Sequence, residues 1–363
     1  MLASVQEVVE VAPIPTADLI ERVRVKGWDV VCKKGEFVPG SLCVFIEIDT
    51  LLPRTEWSEF LFTHPEDTQY RLRSIKLKKQ ISQGLVLPLF PTLPDDDAYA
   101  VGDDVSDILG VKHYEKPMPN INPRSGMRAK GNFPMFIRKT DEVRIQSAPE
   151  LLDQLRGKPY YITQKLDGTS GTFFKYNGKL GVCSRNLELK DPTKNFNAWF
   201  DIVKDKFKAF FGLRKSRSAT NPRTFAMDIY WKMAYKYRIM DWLPEGWVIQ
   251  GEICGPSIQG NKMGLEDHQL FIFNVWNIDE QKYYNPMDWD AINGYGLDLV
   301  PLLYWGKSFG ERYDDSGTIE ELLKEADGEY DNGTPQEGIV IRATDQTISF
   351  KVVNNVFLLK YKE

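Results

Sequence analysis

The sequence predicts an α+β chain in two parts, a small β-barrel followed by a longer domain built on an antiparallel sheet. Three observations predict it. Residues 1–115 are dense in short alternating apolar runs broken by Gly and Pro, with little helical periodicity. Residues 116–132 are rich in Pro, Asn and Gly. Beyond them, stretches of helical period give way to a series of strand-like runs. At 363 residues the chain is too long for one small core.

The elements follow in order. "RVRVKGWDVVCKKGEFVPGSLCVFIEIDTLLP" (22–53) alternates and is punctuated at Gly27, Gly35 and Pro39-Gly40. "YRLRSIKLKKQISQGLVLPL" (70–89) adds further strands. Many short strands between regular turns suggest a closed barrel of the OB type, which commonly binds nucleic-acid strands. The linker is read at 116–132. "SAPELLDQLRG" (147–157) predicts a helix with Ser147 as N-cap, Glu150 in the first turn and a stop at Gly157. Residues 193–213 and 224–240 also have helical periodicity, with aromatics that read as core. "WVIQGEICG", "QLFIFNVWNI", "EGIVIRA" and "TISFKVV" then read as strands.

Composition bounds the function. The chain is 42% hydrophobic and 27% charged, ample for two cores. No run approaches the roughly 18 apolar residues of a membrane span. The N-terminus, with Glu7 and Glu10, lacks the order of a signal peptide. Cys32, Cys43, Cys183 and Cys254 form no CxxC or zinc spacing, which fits a cytoplasmic or other intracellular reducing compartment. His64, His113 and His268 are scattered, which argues against a Ser-His triad or a His-ligated metal. The net charge of −5 is opposite to the excess of a typical nucleic-acid backbone binder. Charge is uneven, however: residues 71–79 and 204–223 are basic and 94–104 acidic, runs that by default read as solvated faces.

The chemistry gathers at strand ends. "KLDGTS" (165–170) follows the strand-like "YYI". A lysine beside a carboxylate and a glycine turn is either a surface hairpin or a nucleophile, and this stretch alone leaves both open. Further along lie "CSRN" (183–186), "GEICG" (251–255), "LFIFNVW" (270–276), "EGIVIR" (337–342) and "SFKVVNNVFLLKYK" (349–362). A lysine nucleophile needs help, because at a free pKa of about 10.4 only roughly 4 in 10,000 are neutral at pH 7. Nearby positive charge or desolvation supplies that help. Hydrated Mg²⁺ does so while stabilising negative charge on a phosphate. It keeps several waters and asks for few carboxylates, for which Asp167, Glu252 and Glu337 are candidates. Lys351, Lys360 and Arg185 are candidates to hold a triphosphate, and Phe273 to cover a purine. Each piece alone has a plain explanation as a turn, a core ring or a solvated lysine. "GPSIQGNK" (255–262) approaches a phosphate loop but has Asn261 where the lysine belongs, so it reads as a loop after Glu252.

In this order the motifs resemble those of the covalent nucleotidyltransferases, the superfamily of ATP-dependent DNA ligases, RNA ligases and mRNA-capping guanylyltransferases. The barrel comes first and the last lysine motif runs to residue 363. That arrangement, with the wording of "FPMFIRKTDEVRIQ", "GEICGPSIQGNK" and "SFKVVNNVFLLK", resembles the RNA ligases with an N-terminal OB module, often called family five. DNA ligases and capping enzymes, which carry an OB-fold after the last motif, are the less favoured reading. A catalytically inactive RNA-binding protein of the same fold is the alternative of another class.

The resemblance covers nearly the whole chain. It implies an OB-like nucleic-acid-binding module over 1–115, a linker over 116–132 and a nucleotidyltransferase domain over 133–363. It implies that Lys165 attacks the α-phosphate of ATP to give lysyl-AMP, that AMP passes to a 5′-phosphate at a nick, and that a 3′-OH displaces it. Mg²⁺ or Mn²⁺ is expected at Asp167, Glu252 and Glu337. Arg144, Gln146, Gln164, Arg185, Glu252, Phe273, Lys351 and Lys360 are the expected nucleotide contacts. The implied partner is a nicked duplex with an RNA 3′-OH strand, in RNA repair, with no membrane and no obligate protein partner. Relatives often carry Lys-x-Lys in the last motif. Here the second position is Val353, so Lys360 or Lys362 is expected to serve instead.

Overall fold

The computed structural model describes residues 1–94, 98–115, 128–192, 228–284, 292, 294–313 and 318–361. The first part holds β1 (Ala3–Glu7), β2 (Glu10–Pro13), β3 (Ile20–Val25), β4 (Trp28–Lys33), β5 (Leu42–Ile46), β6 (Thr50–Pro53), β7 (Gln69–Arg71), β8 (Ile75–Leu77), β9 (Gln80–Ser82), β10 (Leu85–Leu87) and β11 (Lys112–His113). They pair antiparallel as β1-β5-β10, β2-β3-β4, β8-β9 and β11-β6-β7. The sequence alternation explains the wrapping. In β4, Trp28, Val30 and Cys32 are buried while the residues between them are not. Strand β5 is buried on both faces, with Cys43 and Phe45 in one core and Val44 and Ile46 in another. The basic run 71–79 is not a uniform solvated face. Arg71 pairs with Asp49 at 2.6 Å and lies over the Tyr114 ring, and Lys76 Nζ donates to the Leu359 carbonyl at 3.2 Å.

The second part adds β12 (Ala129–Asn132), β13 (Val143–Arg144), β14 (Tyr160–Lys165), β15 (Thr169–Tyr176), β16 (Lys179–Cys183), β17 (Leu187–Leu189), β18 (Trp247–Cys254), β19 (Gln269–Asn277), β20 (Lys282–Tyr283), β21 (Asp298–Leu299), β22 (Leu302–Gly306), β23 (Gly338–Ala343) and β24 (Ser349–Val353). Its helices are α1 (Glu150–Leu155), α2 (Ile229–Lys236), α3 (Ile239–Trp242), α4 (Phe309–Tyr313), α5 (Ile319–Ala326) and α6 (Asn355–Tyr361). The strands form two sheets. One is eight-stranded, β12-β17-β16-β15-β18-β19-β20 with β21 beside β19, and the other is five-stranded, β13-β24-β23-β14-β22. Pairing is antiparallel apart from β13 with β24 and β19 with β21, which run parallel. Each sheet covers one face with helices: α2 and α3 pack on the first, and α1, α4 and α5 on the second. A smaller cluster of Leu166, Cys254, Phe271, Val300 and Tyr330 joins the sheets at the strand ends.

Three expectations are corrected. Residues 129–132 are not linker but strand β12, paired with β17. An edge strand whose residues are exposed or half-buried shows no apolar alternation to read. The helix expected from Ser147 begins at Glu150, after a 3₁₀ turn at Ile145–Ser147. Ser147 does not cap it; its hydroxyl donates to Glu47 in the barrel at 2.7 Å. Of the 224–240 segment, the described residues form two helices, α2 and α3, the first starting at Ile229 with Asp228 accepting from the Trp231 N–H at 2.9 Å. Residues 116–127 of the expected linker, the helix expected over 193–213 and the basic run 204–223 lie outside the described residues. Among the described residues no helix is long and apolar enough to cross a membrane.

The barrel docks on the C-terminal strand and helix. Ile81 of β9 is buried among Val353, Phe357 and Leu358. The β3–β4 turn abuts Ile319, and Glu47 is shared between Lys26 at 3.3 Å and Ser147.

Candidate active site

The stretch "KLDG" is where the chain crosses from one sheet to the other. Lys165 ends β14 in the five-stranded sheet and Thr169 begins β15 in the eight-stranded one. Gly168 makes the crossing possible. A Cβ there would lie 2.4 Å from the Ile253 carbonyl oxygen and 2.9 Å from the Glu252 Cγ, so a side chain would force the two strand ends apart. The surface-hairpin reading of this stretch therefore fails, since Leu166 and Asp167 are buried.

Five charged side chains meet at the crossing. The Lys165 Nζ lies 2.5 Å from a Glu337 carboxylate oxygen, from the residue just before β23. Asp167 pairs with Lys262. Burial raises the Asp167 carboxyl above its ordinary range against the pull of the Lys262 hydrogen bond. Burial pushes Glu252, on β18, up to about 8; Lys165 opposes the rise, and Glu337 and Asp167 reinforce it. Opposite them, Lys351 on β24 is pushed down to about 8 by burial, with Lys165 and Arg144 adding to the fall. Arg144 stands in register beside Lys351, because β13 pairs with β24 at that position.

Gln146 and Phe273 are the remaining predicted contacts near these groups. The Gln146 Oε1 is buried without a hydrogen-bond partner among the described residues, a spare acceptor two residues after Arg144. The Phe273 ring packs with the cluster that joins the sheets, and the Arg342 guanidinium lies 5.9 Å from its centre. These features fit a nucleotide with its base against Phe273 and its phosphates toward Lys351.

Three predicted contacts stand apart. The Gln164 amide donates to Gln336 Oε1 at 2.7 Å and to the Glu329 carbonyl at 3.1 Å, so its side chain holds the 329–336 loop. Arg185 is exposed and pairs with Asp141 at 2.6 Å. Lys360 is exposed on α6, 5.3 Å from the Tyr361 ring. Lys362 lies outside the described residues.

Sequence reasoning missed the second lysine at the crossing. Lys262 closes the loop that fails as a phosphate loop, and its ammonium lies 4.9 Å from both the Phe357 and Tyr361 rings as well as against Asp167. It also missed Tyr330, whose hydroxyl accepts from the Asp167 and Glu337 backbone N–H groups at 3.1 Å each and donates to the Lys165 carbonyl at 3.0 Å. Nothing in the spacing of either residue points to the site.

The expected metal set is Asp167, Glu252 and Glu337. Among the described residues, no three His, Cys, Asp or Glu side chains converge closely enough to grip an ion directly. Asp167, Glu252 and Glu337 nonetheless feel one another's charge. That donor set, all oxygen and loosely spaced, fits a hydrated Mg²⁺ or Mn²⁺ that keeps its waters.

Comparison with known proteins agrees with this geometry. Residues 158–362 match the family described as RNA ligase, and residues 2–89 match an OB-fold domain. Solved structures of Naegleria gruberi RNA ligase match along the whole chain. One, a point mutant with ATP and Mn, is 31% identical with a TM-score of 0.73, covering 100% of this chain and 99% of that one. A second mutant, with AMP and Mn, is 31% identical with a TM-score of 0.73, covering 99% of each chain. The enzyme with PPi is 31% identical with a TM-score of 0.71, covering 99% of this chain and 98% of that one. No curated protein sequence matches the chain. With an OB-fold first and the ligase domain after it, this chain belongs to the RNA ligase family.

Proposed function

We propose that the protein is an ATP-dependent RNA ligase that seals nicks carrying an RNA 3′-OH and a 5′-phosphate, in RNA repair. The observation that carries this reading is the position of Lys165, paired with Glu337 at 2.5 Å and close enough to Lys351 to depress its ammonium. The ATP, AMP, PPi and Mn named for the Naegleria structures support the choice of nucleotide and metal.

In the first step the Lys165 nitrogen, once neutral, attacks the α-phosphorus of ATP. The bond to the bridging oxygen breaks and pyrophosphate leaves, giving lysyl-AMP. A 5′-phosphate oxygen then attacks that phosphorus, the P–N bond breaks and Lys165 regains its proton. Finally a 3′-OH attacks the capped 5′-phosphate and AMP departs. Arg144 and Lys351 bind phosphate oxygens, Gln146 accepts from the base and Phe273 covers it. Asp167, Glu252 and Glu337 would hold a Mg²⁺ or Mn²⁺ ion, which when bound would supply positive charge favouring the neutral amine and the phosphate charge that develops. The module at 1–115 is proposed to dock the nicked duplex.

The test is labelling with α-labelled ATP and Mg²⁺. Wild type should retain label on the 41.8 kDa band after denaturation and Lys165→Ala should not. Label from GTP alone would replace the reading by a capping-type activity. No label even after pyrophosphate stripping would leave an inactive binding protein.

A further inference from the structure

We propose that Tyr330 is the positioning residue of the adenylylation step: its hydroxyl fixes the placement of Lys165, Asp167 and Glu337 relative to one another. This inference rests on the proposed lysyl-AMP chemistry.

A phenol hydroxyl has one proton to donate and two lone pairs to accept with. Tyr330 uses all three on main-chain groups of the site. It donates to the Lys165 carbonyl at 3.0 Å and accepts from the Asp167 and Glu337 N–H groups at 3.1 Å. The ladder between β14 and β23 ends at Lys165 opposite Gly338. Just past that pair the two chains diverge, Leu166 toward the other sheet and Glu337 into a loop. The hydroxyl replaces the missing ladder bonds at the point where the nucleophile and its carboxylate partner leave the sheet.

The residue is itself held firmly. Its ring is buried with Leu166, Cys254, Phe271 and Val300. Its main chain closes a turn with Thr334, the Tyr330 N–H donating at 2.8 Å and its carbonyl accepting from Gly333 at 2.8 Å. The same turn reaches Lys262, whose carbonyl accepts from Asn332 at 2.8 Å and Thr334 at 2.7 Å. One turn thus reaches the backbone of Lys165, Asp167, Glu337 and Lys262. Burial holds the phenol well above its ordinary range, so the proton stays available for donation.

A residue that only fills the core would act through stability and affect every step alike. A residue that places the lysine acts on the step in which the lysine is the nucleophile. Sealing of a nick already capped with AMP needs no attack by Lys165 and separates the two.

The experiment compares wild type, Tyr330→Phe and Val300→Ala. Phe keeps the ring and removes the hydroxyl; Val300→Ala thins the same cluster and leaves the hydroxyl in place. Three quantities are read: the single-turnover rate of lysyl-AMP formation at saturating ATP, KM for ATP, and the rate of sealing a pre-adenylylated nick. Tyr330→Phe is expected to slow lysyl-AMP formation about tenfold or more, with KM and pre-adenylylated sealing each within about twofold of wild type. Val300→Ala at a comparable loss of melting temperature is expected to keep the wild-type adenylylation rate. Parallel loss of all steps, an equal slowing by Val300→Ala, an unchanged rate in Tyr330→Phe, or a Tyr330→Phe protein that does not fold would each overturn the assignment. Absence of label on wild type would instead remove the ligase reading beneath it.

Discussion

The Lys165 ammonium and the Glu337 carboxylate meet at 2.5 Å although 172 positions separate them in the chain. The pair favours the charged amine, which is not the nucleophilic form. The Glu337 contact therefore disfavours the nucleophilic form of Lys165 in the nucleotide-free protein. Glu337→Gln keeps the shape and removes the charge. Lysyl-AMP formation is expected to fall about 10²-fold, read as label on protein quenched at successive times.

Lys351 sets a pH limit. Its ammonium is pushed down to about 8 from an ordinary 10.5. Phosphate binding needs the charged form, so kcat/KM for ATP is expected to fall up to about tenfold per pH unit above pH 8. In stability the sign is opposite. The folded protein binds fewer protons than the unfolded chain between about 8 and 10.5, so this residue's contribution to stability rises with pH across that window. Lys351→Met should remove both dependences, and initial rates with thermal melts from pH 7 to 10 would read them.

The motif residues were legible because their demands are local. Lys165 ends an apolar strand and Gly168 sits where no side chain fits, and both leave a mark in the few residues around them. Lys262 and Tyr330 left none. They reach the site through partners 95 and 163 positions away, and such pairings impose no period on a sequence. Lys360 stands apart from the Lys165 cluster for the converse reason. It follows the last motif closely in the chain, but helix α6 turns it to solvent while burying Phe357 and Leu358. Strands β18, β19, β23 and β24 were legible from their apolar runs, whereas their division between two sheets could not be read because pairing order is a property of the whole fold.

Glu252 couples metal binding to protons. At about 8 its carboxyl carries a proton near neutrality in the nucleotide-free protein, which a divalent cation bound there would have to displace. Mn²⁺ affinity is expected to rise between pH 6.5 and 8. Calorimetry in two buffers of different ionisation enthalpy should count about one proton released, and none for Glu252→Gln. Stability follows the same group. The folded protein binds more protons than the unfolded chain between 4.5 and about 8, so stability falls as pH rises through that window. Glu252→Gln should therefore melt higher than wild type at pH 8.5 and match it near pH 4.

Ile81 tests whether the barrel supports the nucleotide site. It is 4% exposed and packs on Val353 and Phe357, beside the strand that carries Lys351. Ile81→Ala is expected to cost about 2–4 kcal/mol in denaturant unfolding. Because the cavity opens under β24, KM for ATP should also rise, although Ile81 lies in the other module. A loss of stability with KM unchanged would show that the barrel's contact ends at the interface.

Arg342 and Glu142 form an ion pair beside Phe273. The guanidinium is fully enclosed, 3.0 Å from the Glu142 carboxylate and 3.4 Å from the Thr163 hydroxyl, with the Phe273 ring on one side. Glu142 precedes β13, so the pair ties the segment carrying Arg144 and Gln146 to the strand that follows Glu337. Taking away one partner leaves a buried charge with nothing to balance it. Glu142→Ala is expected to lose about 3–5 kcal/mol in urea unfolding. Replacing both at once, Glu142→Leu with Arg342→Met, removes the stranded charge and should recover most of that loss. Recovery of stability without recovery of ATP binding would show that the pair positions the Arg144 segment. A double variant no more stable than Glu142→Ala would instead mean that packing around Phe273, not charge balance, sets the cost.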